Sequence, residues 1–126
     1  RVYIAAPWAR RPEAIVVGKQ FAAHGHVVTS RWFAHAGALD NSAGLNLPQG
    51  EDQAQASEDI ADVLDSDAVV VLNLQKSEGK AFETGIAYGA RKIIVSVGPR
   101  SHIFQSLVIE VETVEEALVV VNSLHQ

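Results

Sequence analysis

Three residues carry groups suited to chemistry on a sugar carbon: Glu83, Asp59 and Tyr3. An ionised carboxylate held in a pocket is a nucleophile toward an anomeric carbon. A second carboxylate handles the proton of the departing group, and a phenol orients the nucleophile. Glu83 lies in the stretch Asn73 to Arg91, NLQKSEGKAFETGIAYGAR, which follows the apolar run Ala68 to Leu72. The pattern predicts a strand, a polar turn over Gln75 to Lys80, then a helix over Phe82 to Arg91. It puts Glu83 in the first helical turn, where the helix dipole favours an ionised acid. Plain readings compete at each position. Glu83 and Asp59 also fit as solvated helix acids, and Tyr3 as a core residue with its hydroxyl satisfied.

These residues are brought together by the expected fold. Val2 to Ala6 reads as a buried strand, and Pro12 opens a helix running to about Ala23. His26 to Phe33 reads as a second strand. Ala34 to Gly50, rich in Gly, Asn, Ser and Pro, reads as a loop longer than most connections. Asp52 to Leu64 is helical, Ala68 to Leu72 a third strand, Lys92 to Val97 a fourth and Val108 to Val111 a fifth. Ser101 to Leu107 suggests one helical turn, and Thr113 caps a last helix through Leu124. Alternating strands and helices predict an α/β, flavodoxin-like (Rossmann-like) three-layer sandwich. Its five-stranded parallel sheet would have the order 2-1-3-4-5, in one domain spanning 1–126. In that order the carboxyl ends of strands one, three and four meet at one crevice. Strand one brings Tyr3 and the loop Pro7 to Arg11, strand three Ser77, Gly79 and Glu83, and strand four Gly98, Pro99 and Arg100.

The loop residues also have two readings. Ser77 and Gly79 serve as turn residues or as ligand donors. Arg10 and Arg11 form a solvated helix start or hold an anion at the helix end. Trp8, Trp32 and Phe33 stack a base or fill the core.

Composition excludes several function classes. The formal charge of −5 argues against a nucleic acid polymer as partner. No apolar run approaches the length of a membrane helix. The chain enters a strand-like pattern at once, so no signal peptide is expected, and the absence of Met predicts a processed or trimmed start. Cys is absent, which removes thiol chemistry and fits a cytoplasmic setting. His24, His26, His35, His102 and His125 show no metal-ligand spacing, and no cofactor motif is present, so neither a metal nor a cofactor is expected.

The quoted motifs also carry a resemblance. Tyr3-Ile4-Ala5-Ala6-Pro7, then Asp59-Ile60, then SDAVVVL at Ser66 to Leu72 and SEGKAFETGIA at Ser77 to Ala87, resemble the nucleoside 2-deoxyribosyltransferase superfamily across most of the chain. The Asp59–Glu83 and Ser77–Glu83 spacings are similar to those of its nucleoside 5′-monophosphate N-glycosidase branch, which includes deoxynucleotide N-hydrolases and CMP hydrolases. The resemblance implies that Glu83 forms a glycosyl-enzyme, Asp59 assists departure of the base and Tyr3 holds Glu83. It implies that Ser77 and Gly79 bind the 5′-phosphate, and that Ser106 of a second subunit completes the site in a homodimer. The transferases of the superfamily carry an acid at the Ser77 position. A hydroxyl donates to a phosphate that a carboxylate would repel, so Ser77 points to a monophosphate substrate and water as acceptor. Pro7 departs from the pattern, having neither hydroxyl nor backbone N–H. Arg10 or Arg11 would replace that donor, and Trp8 would narrow the base pocket. The expected activity is hydrolysis of the N-glycosidic bond of a (2′-deoxy)nucleoside 5′-monophosphate. The alternatives are base exchange by a deoxyribosyltransferase and a nucleotide-binding module without turnover.

Overall fold

A computed structural model describes residues 1–34 and 50–124, so most of the expected loop from Ala34 to Gly50, with His35 and His125, lies outside the described residues. Four parallel strands form the sheet in the order β1 (Val2–Ala5), β2 (Ala68–Leu72), β3 (Ile93–Val97), β4 (Ile109–Val111). All residues of β1 and β2 are buried, as expected for inner parallel strands covered on both faces. Their Val, Ile and Leu side chains form the centre of the core with Phe21, Val63, Ala87, Val95 and Val121. The helices are α1 (Arg11–Ala23), α2 (Glu51–Leu64), α3 (Glu78–Gly89) and α4 (Val114–Ser123). None is long and apolar enough to cross a membrane among the described residues.

Among the described residues the sheet has four strands where five were expected, and its order is therefore β1-β2-β3-β4. The missing strand is His26 to Phe33. It does lie beside β1, but it makes a single bridge, Val2 with Val28. The Val2 N–H donates to Val27 and the Thr29 N–H to the Val2 carbonyl, both at 2.8 Å. One step further the ladder is replaced by side chains. The Ile4 N–H donates to Ser30 Oγ at 2.7 Å, and Trp32 Nε1–H donates to the Ile4 carbonyl at 2.9 Å. With the backbone of β1 satisfied this way, the segment turns into a 3-10 helix over Trp32–Ala34 rather than continuing as a strand. Ser30→Ala is expected to lower stability by about 1–3 kcal/mol, because it leaves a buried N–H without an acceptor. A lower denaturant midpoint at constant m-value would report this. An unchanged midpoint would mean that another group takes the Ile4 N–H.

Local chemistry explains the helix ends near the crevice. Pro12 stands at the start of α1. Ser77 is the N-cap of α3, its hydroxyl accepting from the Lys80 N–H at 3.2 Å. Helix α3 therefore begins at Glu78, four residues before the expected start at Phe82, and the predicted turn supplies its first turn. Thr113 caps α4 in the same way through the Glu116 N–H. Helix α2 packs on α3, and it is anchored at Asp62. This buried carboxylate accepts from the Arg31 N–H and guanidinium, the latter at 2.7 Å, while its carbonyl accepts from Thr29 Oγ1 at 2.9 Å.

Candidate active site

The residues singled out on chemical grounds meet at one end of the sheet. A cavity of about 610 Å³ opens between the loop after β1, helix α2 and the first turns of α3. Its wall includes Pro7, Trp8, Asp59, Ser77, Gly79 and Glu83. Tyr3 lies beneath the wall, fully buried in β1, and its hydroxyl donates to Glu83 Oε2. Since β1 and α3 are far apart in sequence, this contact exists only because β1 and β2 are neighbours.

Burial dominates the electrostatics. Glu83 is in the second turn of α3, beyond the reach of most of the dipole's benefit. Loss of hydration pushes its pKa up to about 8, the Tyr3 hydrogen bond opposes this, and the nearby Asp59 charge adds to it. This corrects the expectation of a carboxylate ionised at rest: near neutral pH Glu83 holds a proton. Burial and the charges of Glu83 and Asp59 keep the Tyr3 phenol far above its ordinary value, so it remains a donor. A carboxyl held high by its surroundings, with a second acid on the same cavity wall, is an arrangement that acid–base catalysis uses.

Trp8 reaches the cavity from the loop after β1, its ring 6.1 Å from that of Trp32 and stacked on it. Trp32 is buried and fixed by its bond to Ile4, and it also lines the cavity. The outer arginines are engaged elsewhere and do not line this cavity. Arg10 pairs with Glu13 at 3.0 Å, the Arg11 guanidinium donates to the Phe33 carbonyl, and Arg100 pairs with Glu110. Ser106 is also away from it, exposed on the 3-10 helix Ile103–Leu107, with its hydroxyl on the Ile103 carbonyl at 2.7 Å.

The residue missed from the sequence is Lys80. It lines the cavity yet is only 6% exposed, and its Nζ donates to Asn73 Oδ1 and to the Gln75 carbonyl, each at 3.1 Å. The available signal was a cation in what proves to be the first turn of a helix, where cations are disfavoured. A second cavity of about 320 Å³ lies between α3 and the Ile103–Leu107 segment, lined largely by apolar side chains such as Tyr88 and Phe104, and Lys80 lines it too, with Asn73, Ser96 and Gln105.

No protein-family model matches the chain, and no curated protein sequence matches it. Among solved structures the chain is similar to the CMP N-glycosidase BcmB of Clostridium botulinum, with a TM-score of 0.61 over 97% of this chain and 98% of that one. Sequence identity is 15%, so the likeness is one of fold.

Proposed function

We propose that this chain hydrolyses the N-glycosidic bond of a nucleoside 5′-monophosphate, releasing the base and a pentose 5-phosphate. The observation that carries the reading is the Tyr3–Glu83 pair beside a cavity of about 610 Å³ whose wall Glu83 shares with Asp59. The similarity in fold to a CMP N-glycosidase supports it. The proton that Glu83 holds at rest passes to Asp59, leaving a carboxylate oriented by the Tyr3 hydroxyl. That carboxylate attacks C1′ and forms an ester. The C1′–N bond breaks, its electron pair goes to the base, and Asp59 delivers the proton to the base. A water molecule then attacks C1′ and gives a proton to Asp59, and the ester C–O bond breaks to restore Glu83. Ser77, the free N–H groups at the start of α3 and Gly79 receive the 5′-phosphate. Trp8 offers its face to the base. Arg10, Arg11 and Arg100 reach the phosphate only by leaving their present partners.

The site is completed by a second copy of the chain, which brings Ser106. Ile103 and Phe104 beside it are 76% and 67% exposed, and Phe82 on α3 is 63% exposed, apolar side chains that a partner would cover. A chain that remains monomeric at micromolar concentration while fully active would exclude this arrangement.

The reading is tested by incubating the protein with a panel of nucleoside monophosphates and resolving the products. Free base with pentose 5-phosphate is expected. Base exchange seen only with an added acceptor base would make it a transferase, and binding without turnover a nucleotide-binding module. The protonation state gives a further prediction. The proton used in the reaction is the one Glu83 holds at rest, so kcat/KM falls as pH rises through about 8. Tyr3→Phe removes the hydrogen bond that lowers the Glu83 pKa, so the fall moves to higher pH while the maximum rate drops. An alkaline limb that stays in place in Tyr3→Phe would contradict the role given to the phenol.

A further inference from the structure

Lys80 is the one buried cation among the described residues. It stands in the first turn of α3, where the dipole disfavours positive charge, and its burial disfavours the charged form again. Its two acceptors, the Asn73 side chain and the Gln75 carbonyl, are neutral, and no carboxylate lies within ion-pair distance among the described residues. An ammonium has three donors, and these contacts use two. Its place is nonetheless set by a buried polar chain. Asn73 Nδ2 donates to Ser96 Oγ, which also accepts from Gln105 Nε2 at 3.2 Å. Gly98, with φ +104°, lets β3 approach Asn73 so closely that a Cβ there would lie 3.3 Å from the Asn73 carbonyl oxygen. Lys80 lines both the cavity of Asp59 and Glu83 and the second cavity, and an anion from outside the chain would stabilise its charged form there.

We infer that the Lys80 ammonium is the cationic contact for the substrate's phosphate, completing a subsite with the Ser77 hydroxyl and the N–H groups of the same helical turn. The Lys80 backbone N–H is already bonded to Ser77 Oγ, so both belong to one rigid unit. A compact ammonium suits a phosphate as a point charge. An anion there offsets both the dipole and the desolvation that Lys80 meets. The inference rests on the nucleotide reading for its ligand, but binding can be measured without turnover.

The experiment compares wild type, Lys80→Met and Lys80→Gln for binding of ribose 5-phosphate and of ribose, by calorimetry and by the ligand-induced rise in Tm. Gln keeps a donor for Asn73 or Gln75 and loses the charge, so it separates a cation from a clamp on the 73–77 loop. Both variants are expected to bind ribose 5-phosphate at least about 30-fold more weakly, about 2 kcal/mol at 1.4 kcal/mol per tenfold, with ribose affinity changed far less. Wild-type affinity retained in Lys80→Gln would make Lys80 a clamp and overturn the inference. So would a wild type that does not bind ribose 5-phosphate at millimolar concentration. Phosphate binding that depends on Lys80, with no base released from any monophosphate, would leave this subsite standing and remove the glycosidase reading. Base release from monophosphates with unchanged binding in both variants would do the reverse.

Discussion

Glu83→Gln is expected to lose turnover by four or more orders of magnitude, about 5–6 kcal/mol of barrier at 1.4 kcal/mol per tenfold. The amide has nearly the shape of the acid and still accepts from Tyr3 through its oxygen. It has no charge with which to attack C1′ and no proton to pass to Asp59. The same substitution has an opposite effect on stability. The Glu83 pKa is raised from 4.5 in the unfolded chain to about 8 in the fold. The folded state therefore binds a proton that the unfolded state has released, and this contribution is complete below 4.5 and lost as pH rises to about 8. Wild type should lose stability across that window, whereas Glu83→Gln has no such slope and should melt higher at pH 9. Turnover assays and melting curves at pH 5 and pH 9 check both effects. Near-normal turnover in Glu83→Gln would exclude the nucleophile. Parallel melting profiles would mean that the carboxyl is hydrated and its pKa ordinary.

The second large effect is expected at Ser77. The wild type should prefer a monophosphate over its nucleoside by at least about a hundredfold in kcat/KM, since two or three charge-assisted hydrogen bonds contribute roughly 1.5–3 kcal/mol each. Ser77→Asp should lower that ratio at least about tenfold. Asp is as good an N-cap as Ser, so the bond to the Lys80 N–H and the start of α3 survive. What changes is one negative charge beside the phosphate. A Ser77→Asp variant that keeps the wild-type ratio would place the phosphate elsewhere, and a wild type without the preference would favour the transferase reading. Base release from matched pairs of nucleoside and nucleotide, for both proteins, gives the ratios directly.

Much of this site was legible in the residues. Strands β1 and β2 are short apolar runs bounded by Pro7 and Asp65-Ser66-Asp67, and such runs have few other fates in a chain of alternating helices. Once they are neighbours, Tyr3 and Glu83 must converge. What remained hidden depends on three-dimensional context. His26 to Phe33 has the composition of a strand, but its Ser30 and Trp32 side chains take the hydrogen bonds that its backbone would have made. The start of α3 was obscured because Gln75 to Lys80 contains good turn formers, while the capping bond from Ser77 decides the matter. The protonation of Glu83 follows from desolvation, which pattern alone does not report. Lys80 was passed over because lysines are mostly exposed.

The outer edge of β1 has a consequence for how this protein behaves in a crowded solution. An ordinary edge strand presents a row of open N–H and C=O groups on which another molecule can lay a strand. Here Val2 and Ile4, the β1 residues that face outward, have both donor and acceptor occupied by Val27, Thr29, Ser30 and Trp32. A strand arriving from a neighbour finds no vacant partner at Val2 or Ile4. At the opposite edge, β4 is only three residues long and carries Glu110, pinned by Arg100. Ser30 and Trp32 thus close the outer edge of β1 as well as contributing to the fold. Their loss is expected to show as a concentration-dependent rise in light scattering.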